Sequence, residues 1–206
     1  MKNIVALLSL ILLCSLGISQ DQILTMSGRQ IDCKIVDIEG FEVVYDVVNK
    51  HNKTLRASLH KSELFSSTRA DEAEFVYYTQ DVELGDWLSE EEMRIYIAGQ
   101  CDARASYKTQ TTFALGLGAA RFLAFAASGG LILSVAFPIV YTVIQLLPYI
   151  KIKEETISDL DNQYNEVYAL GYERVARSRK VMSALAGSAM GMFGGILYYF
   201  LAPFEK

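Results

Sequence analysis

The stretch VMSALAGSAMGMFGGILYYFLAP, residues 181–203, contains no charged side chain. About 20 predominantly apolar residues suffice to cross the hydrocarbon of a bilayer, so this segment is long enough to span one. Thr112 to Ile150 is a second apolar stretch, with Arg121 as its only full charge. A soluble domain of this size has no use for two such segments in its core. The expected architecture is an α+β membrane protein: a small antiparallel β-sheet or barrel domain, then an amphipathic helix, then two or at most three transmembrane helices.

Within the last stretch, Ser183, Gly187, Gly191 and Gly195 recur at every fourth position and form overlapping GxxxG motifs. Glycines on one helix face let a second backbone approach closely, so that van der Waals contact replaces the hydrophobic drive that lipid removes. The earlier stretch offers a matching stripe in Gly116, Ala120, Ala124 and Ser128. Either the two stretches pack on each other within one chain, or the glycine face serves homo-oligomerisation or a membrane-protein partner.

Phe113 to Ile150 as one helix would measure about 57 Å at about 1.5 Å per residue. That is too long for one upright span and tight for two. The preferred expectation is a single tilted span from Phe122 to about Gln145, kinked at Pro138; the alternative is a hairpin turning at Ser128-Gly129-Gly130. Arg174, Arg177, Arg179 and Lys180 crowd the entrance to the last stretch, and basic residues near span ends favour the cytoplasmic side. A cytoplasmic 151–180 segment following an exported N-terminal part requires one crossing between them. Arg121 then sits near the interface, where it can snorkel, and joins the four basic residues as an expected lipid-facing set. Tyr164, Tyr168 and Tyr172 recur every four residues and are expected to anchor the helix end at the headgroups.

Export is read from the N-terminus. Lys2 supplies a positive charge, Ile4 to Leu16 an apolar run, and Gly17-Ile18-Ser19 small residues before a cleavage site after Ser19, the order of a secretory signal. An uncleaved anchor helix is one alternative. Lipoprotein processing at Cys14 is another, although Leu13 stands where a small residue is needed. The expected organisation is a signal peptide over 1–19, a β-rich periplasmic domain over 20–80, a capped amphipathic helix over 81–111, the first membrane segment over 112–150, a polar and basic segment over 151–180, and the final span over 181–203. The expected location is the inner membrane, with the N-terminal domain in the periplasm.

Residues 21–80 read as short strands. Gln22 to Thr25 ends at the turn pair Ser27-Gly28, Gln30 to Ile38 alternates, and Glu39-Gly40 turns the chain into the β-branched and aromatic run Phe41 to Val48. Thr54 to Leu59 alternates again and Phe75 to Tyr78 closes the set, a spacing that suggests an antiparallel sheet curled toward a small barrel. Ser89 with Glu92 forms a capping box, and Met93, Tyr96, Ile97 and Cys101 then fall on one helix face.

Several of these segments carry a resemblance. Asp21-Gln22-Ile23-Leu24-Thr25 with Ser27-Gly28, Cys33-Lys34-Ile35, Tyr45, and Leu59-His60-Lys61-Ser62-Glu63-Leu64-Phe65 look like the β-rich module of small exported, membrane-anchored proteins of Bacteroidota. The helix Glu91-Glu92-Met93-Arg94-Ile95-Tyr96-Ile97-Ala98-Gly99-Gln100 with Asp102-Ala103, and Gly171-Tyr172-Glu173-Arg174-Val175-Ala176-Arg177, are similar to the same group. Ser66-Ser67-Thr68 departs from it, standing where an apolar strand is usual. The resemblance implies envelope location and architecture, not an activity.

The 206 residues are 51% hydrophobic with a formal charge of −5 and a mean hydropathy of +0.21. An average domain is about 45–50% apolar, so the excess is small, and it is concentrated in 4–18, 113–150 and 181–203. The negative charge argues against a nucleic-acid partner, which requires a basic footprint. His51 and His60 stand without a second ligand at a metal spacing. Asp81, Glu83, Asp86 and Glu90 to Glu92 lack the fixed spacing of a calcium loop. Gly116-Leu117-Gly118 lacks the third glycine of a dinucleotide fingerprint. Cys33 and Cys101, left after Cys14, fall in no CxxC spacing; an exported compartment permits a disulfide between them, but small buried thiols are the preferred reading. The expectation is no catalytic residue, no cofactor, no metal and no identifiable small-molecule substrate. The preferred function is a non-enzymatic envelope scaffold or complex subunit in the lipid bilayer. The alternative is a transport or channel component, which needs polar groups inside the spans, where only Arg121 and Gln145 answer.

Overall fold

The computed structural model describes residues 20–49, 51–70, 72–126, 131–147 and 150–201, and the signal peptide expected over 1–19 lies outside them. The chain forms two compact units, one up to Glu90 and one from Glu91 onward. The class is α+β: a six-stranded antiparallel sheet and, among the described residues, four α-helices.

In the first unit, β1 (Asp21–Thr25), β2 (Gln30–Asp37), β3 (Glu42–Val48) and β4 (Thr54–His60) form a meander. Gly28 and Gly40 turn it with φ of 73° and 56°, a backbone region in which a Cβ is strained. A 3-10 turn at Lys61–Glu63 then sends β5 (Leu64–Thr68) back to the free side of β1, and β6 (Phe75–Val76) pairs on β5. The order is β4-β3-β2-β1-β5-β6. The sheet is open, with β4 and β6 as its edges, and so does not close into the barrel that the strand spacing suggested.

Alternation sets the core of this unit. Ile23 stands opposite Ile31, Ile35 opposite Tyr45, and Val43 opposite Leu59, so Ile23, Cys33, Ile35, Val43 and Tyr45 gather with Leu64 on one side. β4 is exposed along nearly its whole length, and the pairing of Arg56 with Asp46 at 2.9 Å sits on this edge, a charged pair of the kind that discourages edge-to-edge association. β5 is the most buried strand although Ser66-Ser67-Thr68 are three of its five residues. Ser67 and Tyr77 share a hydroxyl–hydroxyl bond of 3.0 Å, so the buried Ser67 hydroxyl has a partner.

The second unit contains α1 (Glu90–Ser106), α2 (Gln110–Ala126), α3 (Leu131–Ile144) and α4 (Glu166–Leu201). α1 starts directly after Ser89, as the capping box predicted. Two corrections concern the helices that follow. Thr112 to Ile150 is not one kinked span: the Tyr141 hydroxyl of α3 donates to the Thr112 carbonyl of α2 at 2.9 Å, so the end of α3 lies beside the start of α2. The pair is a hairpin, and Pro138 sits inside its second arm. Second, α2 has 17 and α3 has 14 described residues. Among the described residues only α4 is long and apolar enough to span by length and composition, against the two or three spans expected.

Candidate functional site, a small-residue seam and its basic junction

α2 and α4 run side by side in the same direction. The Ser183 hydroxyl donates to the Thr109 carbonyl at 3.1 Å. One helical repeat further, a Cβ on Gly187 would fall on the Phe113 carbonyl, and one on Gly191 would fall on the Leu117 carbonyl, each closer than real Cβ atoms approach. The period of four in the sequence thus becomes a backbone-on-backbone seam. Gly116 lies where three helices meet: its Cβ would stand 3.0 Å from the Ser188 nitrogen and 3.0 Å from the Tyr141 ring. Ala120 and Gly195 are also buried. The side chains of Arg121 and Ala124, within α2, and the whole of Ser128 lie outside the described residues. The seam occupies the glycine face within one chain, so Gly187 and Gly191 are not free to receive a second copy or a partner helix.

The bundle is packed inside out relative to a soluble one. Among the described residues its buried positions are Gly116, Ala120, Pro138, Ala184, Gly187, Ser188, Gly191 and Gly195. Many of the large apolar side chains described face outward, from Leu185 at 43% exposure to Leu147 at 82%, with Leu115, Ile139, Val140, Met182, Met190, Phe193 and Leu197 between. In water the hydrophobic effect would favour the reverse. Ser188 is fully buried and donates to the Ala184 carbonyl at 2.7 Å, so its hydroxyl is satisfied within its own helix.

The first part of α4 packs against α1 and against residues 150–157. A Cβ on Gly99 would meet the Tyr168 carbonyl, and one on Gly171 would meet the Tyr96 carbonyl, so the two helices cross backbone to backbone. Tyr168 and Tyr172, each 1% exposed, fill the crossing with Ala103, Ile150, Val175 and Ala176. These tyrosines are core residues and not the headgroup anchors expected from their spacing; only Tyr164 is exposed. Asp102 ties the junction together by accepting from the Tyr168 hydroxyl at 2.7 Å, from the Ser158 amide at 2.9 Å and from the Ser158 hydroxyl. Burial first, and then the bond to Asp102, push the Tyr168 phenol well above its ordinary value. Burial likewise raises Tyr107, whose ring meets Tyr172 edge-on at 6.4 Å.

The expected lipid-facing arginines Arg174, Arg177 and Arg179 are exposed, and each also has a partner within the chain. Arg179 donates to the carbonyls of Ala103 at 3.1 Å, Arg104 at 2.5 Å and Tyr107 at 3.5 Å, capping the C-terminus of α1, where carbonyls run out of helical partners; the Ala103 carbonyl also accepts the Tyr107 amide at 3.1 Å. Arg174 reaches the Tyr96 hydroxyl at 3.1 Å. Arg177 pairs with Glu173 one turn away at 3.3 Å. Lys180 is half-buried. Because Asp102 binds Ser158 and Tyr168, residues 151–180 belong to the same packed body as α1.

Other sequence candidates are accounted for locally. The His60 Nδ1 accepts the Ser62 amide at 3.2 Å, and its ring stacks on Phe41. The Asp81 carboxylate accepts the amides of Glu83 at 3.0 Å and Leu84 at 3.3 Å, which makes this acidic stretch a turn. Cys33 and Cys101 are both free thiols. No group of three or more metal-ligating side chains occurs among the described residues. The Arg179 cap and the Gly99–Gly171 crossing were not anticipated; Gly99 within an otherwise good helix was the one signal that pointed to a close approach. Comparisons with protein-family models, with curated proteins and with solved structures yield no match to this chain.

Proposed function

We propose that the chain is a non-enzymatic envelope protein, anchored in a membrane by the α2–α3–α4 bundle and displaying its β unit as a scaffold or complex subunit. The observation that carries this reading is the inside-out packing: small residues within the bundle, large apolar residues around it. Glycine seams of this kind stabilise helices in lipid, where apolar burial gives no net gain. The resemblance to exported Bacteroidota proteins supports placing the β unit on the exported side.

The hairpin changes the topology that goes with this reading. α2 enters, α3 returns, and α4 enters again, so residues 151–165 share a side with α1. The arginines that suggested a cytoplasmic segment are those that cap α1 and bind Tyr96, and this structural use accounts for their clustering. The bundle interior also weighs against a channel. The α2–α4 face is closed by backbone contact, and the buried Ser188 is already bonded.

The test uses cell membranes carrying full-length protein. Washing with high salt and with urea should leave it membrane-bound, and detergent should release it; release by either wash refutes the anchor. In a background with native cysteines replaced, Lys53→Cys and Asp161→Cys are probed with an impermeant maleimide. Both should label from the same side. Labelling from opposite sides refutes the hairpin topology.

A further inference from the structure

The junction contains a cavity of about 420 Å³ lined by residues 105–108, by Lys151, Lys153, Glu155 and Thr156, and by Tyr172. Lys108 lies two residues before α2 and Lys151 seven residues after α3, so the two arms of the hairpin each bring a lysine to the same opening. Neither ammonium has an ion-pair or hydrogen-bond partner among the described residues. Lys153 pairs with Glu155 at 3.2 Å. With three lysines and one glutamate, the wall carries a net positive charge.

Two further features make the cavity suited to an anion. The exposed carbonyls at the end of α1 would repel one, but Arg179 covers those of Ala103, Arg104 and Tyr107 and adds its own charge behind the wall. The Tyr107 hydroxyl is a donor in the same wall, and among the described residues it has no hydrogen-bond partner. The Ser106 and Thr156 hydroxyls already donate, to the Asp102 carbonyl at 2.6 Å and the Lys153 carbonyl at 2.6 Å. Lysine ammonium groups and a phenol are the donors that phosphate oxygens accept.

We propose that this cavity binds a phosphate group through Lys108, Lys151 and the Tyr107 hydroxyl. Under the membrane reading above, on which the lipid form of this inference rests, both lysines lie at the bilayer surface, so an anionic phospholipid headgroup is one source of the phosphate. A free phosphate ester from solution is the other. The Lys153–Glu155 pair sets the affinity: Glu155 neutralises the third lysine and keeps the site from saturating with every anion.

The experiment uses full-length protein in nanodiscs of phosphatidylcholine mixed with phosphatidylglycerol, with native mass spectrometry counting retained lipids. The wild type should retain phosphatidylglycerol in preference. Lys108→Gln with Lys151→Gln should lower that preference about thirtyfold, at roughly fivefold per lysine near an anionic surface. Lys34→Gln with Lys53→Gln, which removes equal charge from the β unit, should not lower it. Glu155→Gln should raise the preference, a gain that a misfolded variant does not give. A second arm titrates inorganic phosphate and glycerol 3-phosphate into detergent-solubilised protein. Lysine-dependent binding there without lipid enrichment assigns the site to free phosphate. Failure of the protein to enter discs refutes the membrane reading alone, because the soluble arm still tests the cavity. No lysine-dependent enrichment or binding in either arm, or no gain from Glu155→Gln, overturns the proposal.

Discussion

Gly191 and Gly194 lie three residues apart on one helix, and the seam predicts opposite effects for the same substitution. A Cβ at Gly191 would meet the Leu117 carbonyl and, at 2.9 Å, the Ala120 Cβ; a Cβ at Gly194 would have nothing within 4 Å. Replacing a helical glycine by alanine gains about 1 kcal/mol of intrinsic propensity. At Gly194 that gain stands alone, so Gly194→Ala should be neutral or stabilising by up to about 1 kcal/mol. At Gly191 the methyl presses on backbone and on a methyl group, neither of which has a rotamer to escape into. Overpacking of this kind typically costs about 1–3 kcal/mol, and a rigid neighbour places it toward the upper end. The net expectation for Gly191→Ala is about 1–2 kcal/mol of destabilisation, a factor of about 5–30 in the folded-to-unfolded ratio.

Thermal unfolding in mild detergent, followed by near-UV circular dichroism, measures both variants in one background. Gly191→Ala should unfold at lower temperature than the wild type, and Gly194→Ala at the same or a higher temperature. Gly187→Ala should follow Gly191→Ala, because its Cβ falls on the Phe113 carbonyl. If Gly191→Ala and Gly194→Ala shift together in either direction, the α2–α4 seam is wrong and the glycines reflect only the composition of a membrane helix.

Two predictions concern the junction and its titration. Arg179→Gln, which removes a charged cap from the end of α1, should cost about 1.5–3 kcal/mol, whereas Arg177→Gln, which loses only an exposed pair with Glu173, should cost under about 1 kcal/mol; equal losses in denaturant unfolding would refute the capping role. Stability should also fall on the alkaline side. Burial raises Cys33 from 9.0 to about 11, and it raises Tyr168 above 10.0 as well, so the unfolded chain releases these protons first and stability declines with pH from about pH 9 upward. Tyr168→Phe should flatten the decline above pH 10, and an unchanged slope in pH-dependent unfolding would remove Tyr168 from that account.

The elements that could be read directly were those whose periodicity is set by their own surroundings. β1 to β3 alternate because one side of the sheet is buried, and their turns are marked by Gly28 and Gly40. α1 announced itself through Ser89 and Glu92. β5 was hidden because it buries serines, one of which, Ser67, bonds the Tyr77 hydroxyl of the next segment, a contact that leaves no local trace. The GxxxG spacing showed that a helix approaches the last one closely, but the spacing alone is the same for a partner in the same chain or in another. What selects α2 is register: Thr109, Phe113 and Leu117 step by four alongside Ser183, Gly187 and Gly191.

The arginines admit a second use for a related reason. A cluster of basic residues beside an apolar stretch satisfies a topological rule, but the same residues satisfy helix-end chemistry when a second helix happens to end beside them. The rule treats charge as belonging to a loop, whereas here Arg179 belongs to the end of α1, about 75 residues earlier in the chain. Lys108 and Lys151, which have no ion-pair partner among the described residues, lie far apart in the sequence and drew no notice there. The return of the hairpin brings the chain before α2 and the chain after α3 to one opening. The same fold that sets Arg179 against the end of α1 thus brings two other cations to the wall of one cavity, which is what makes that cavity a candidate for an anion.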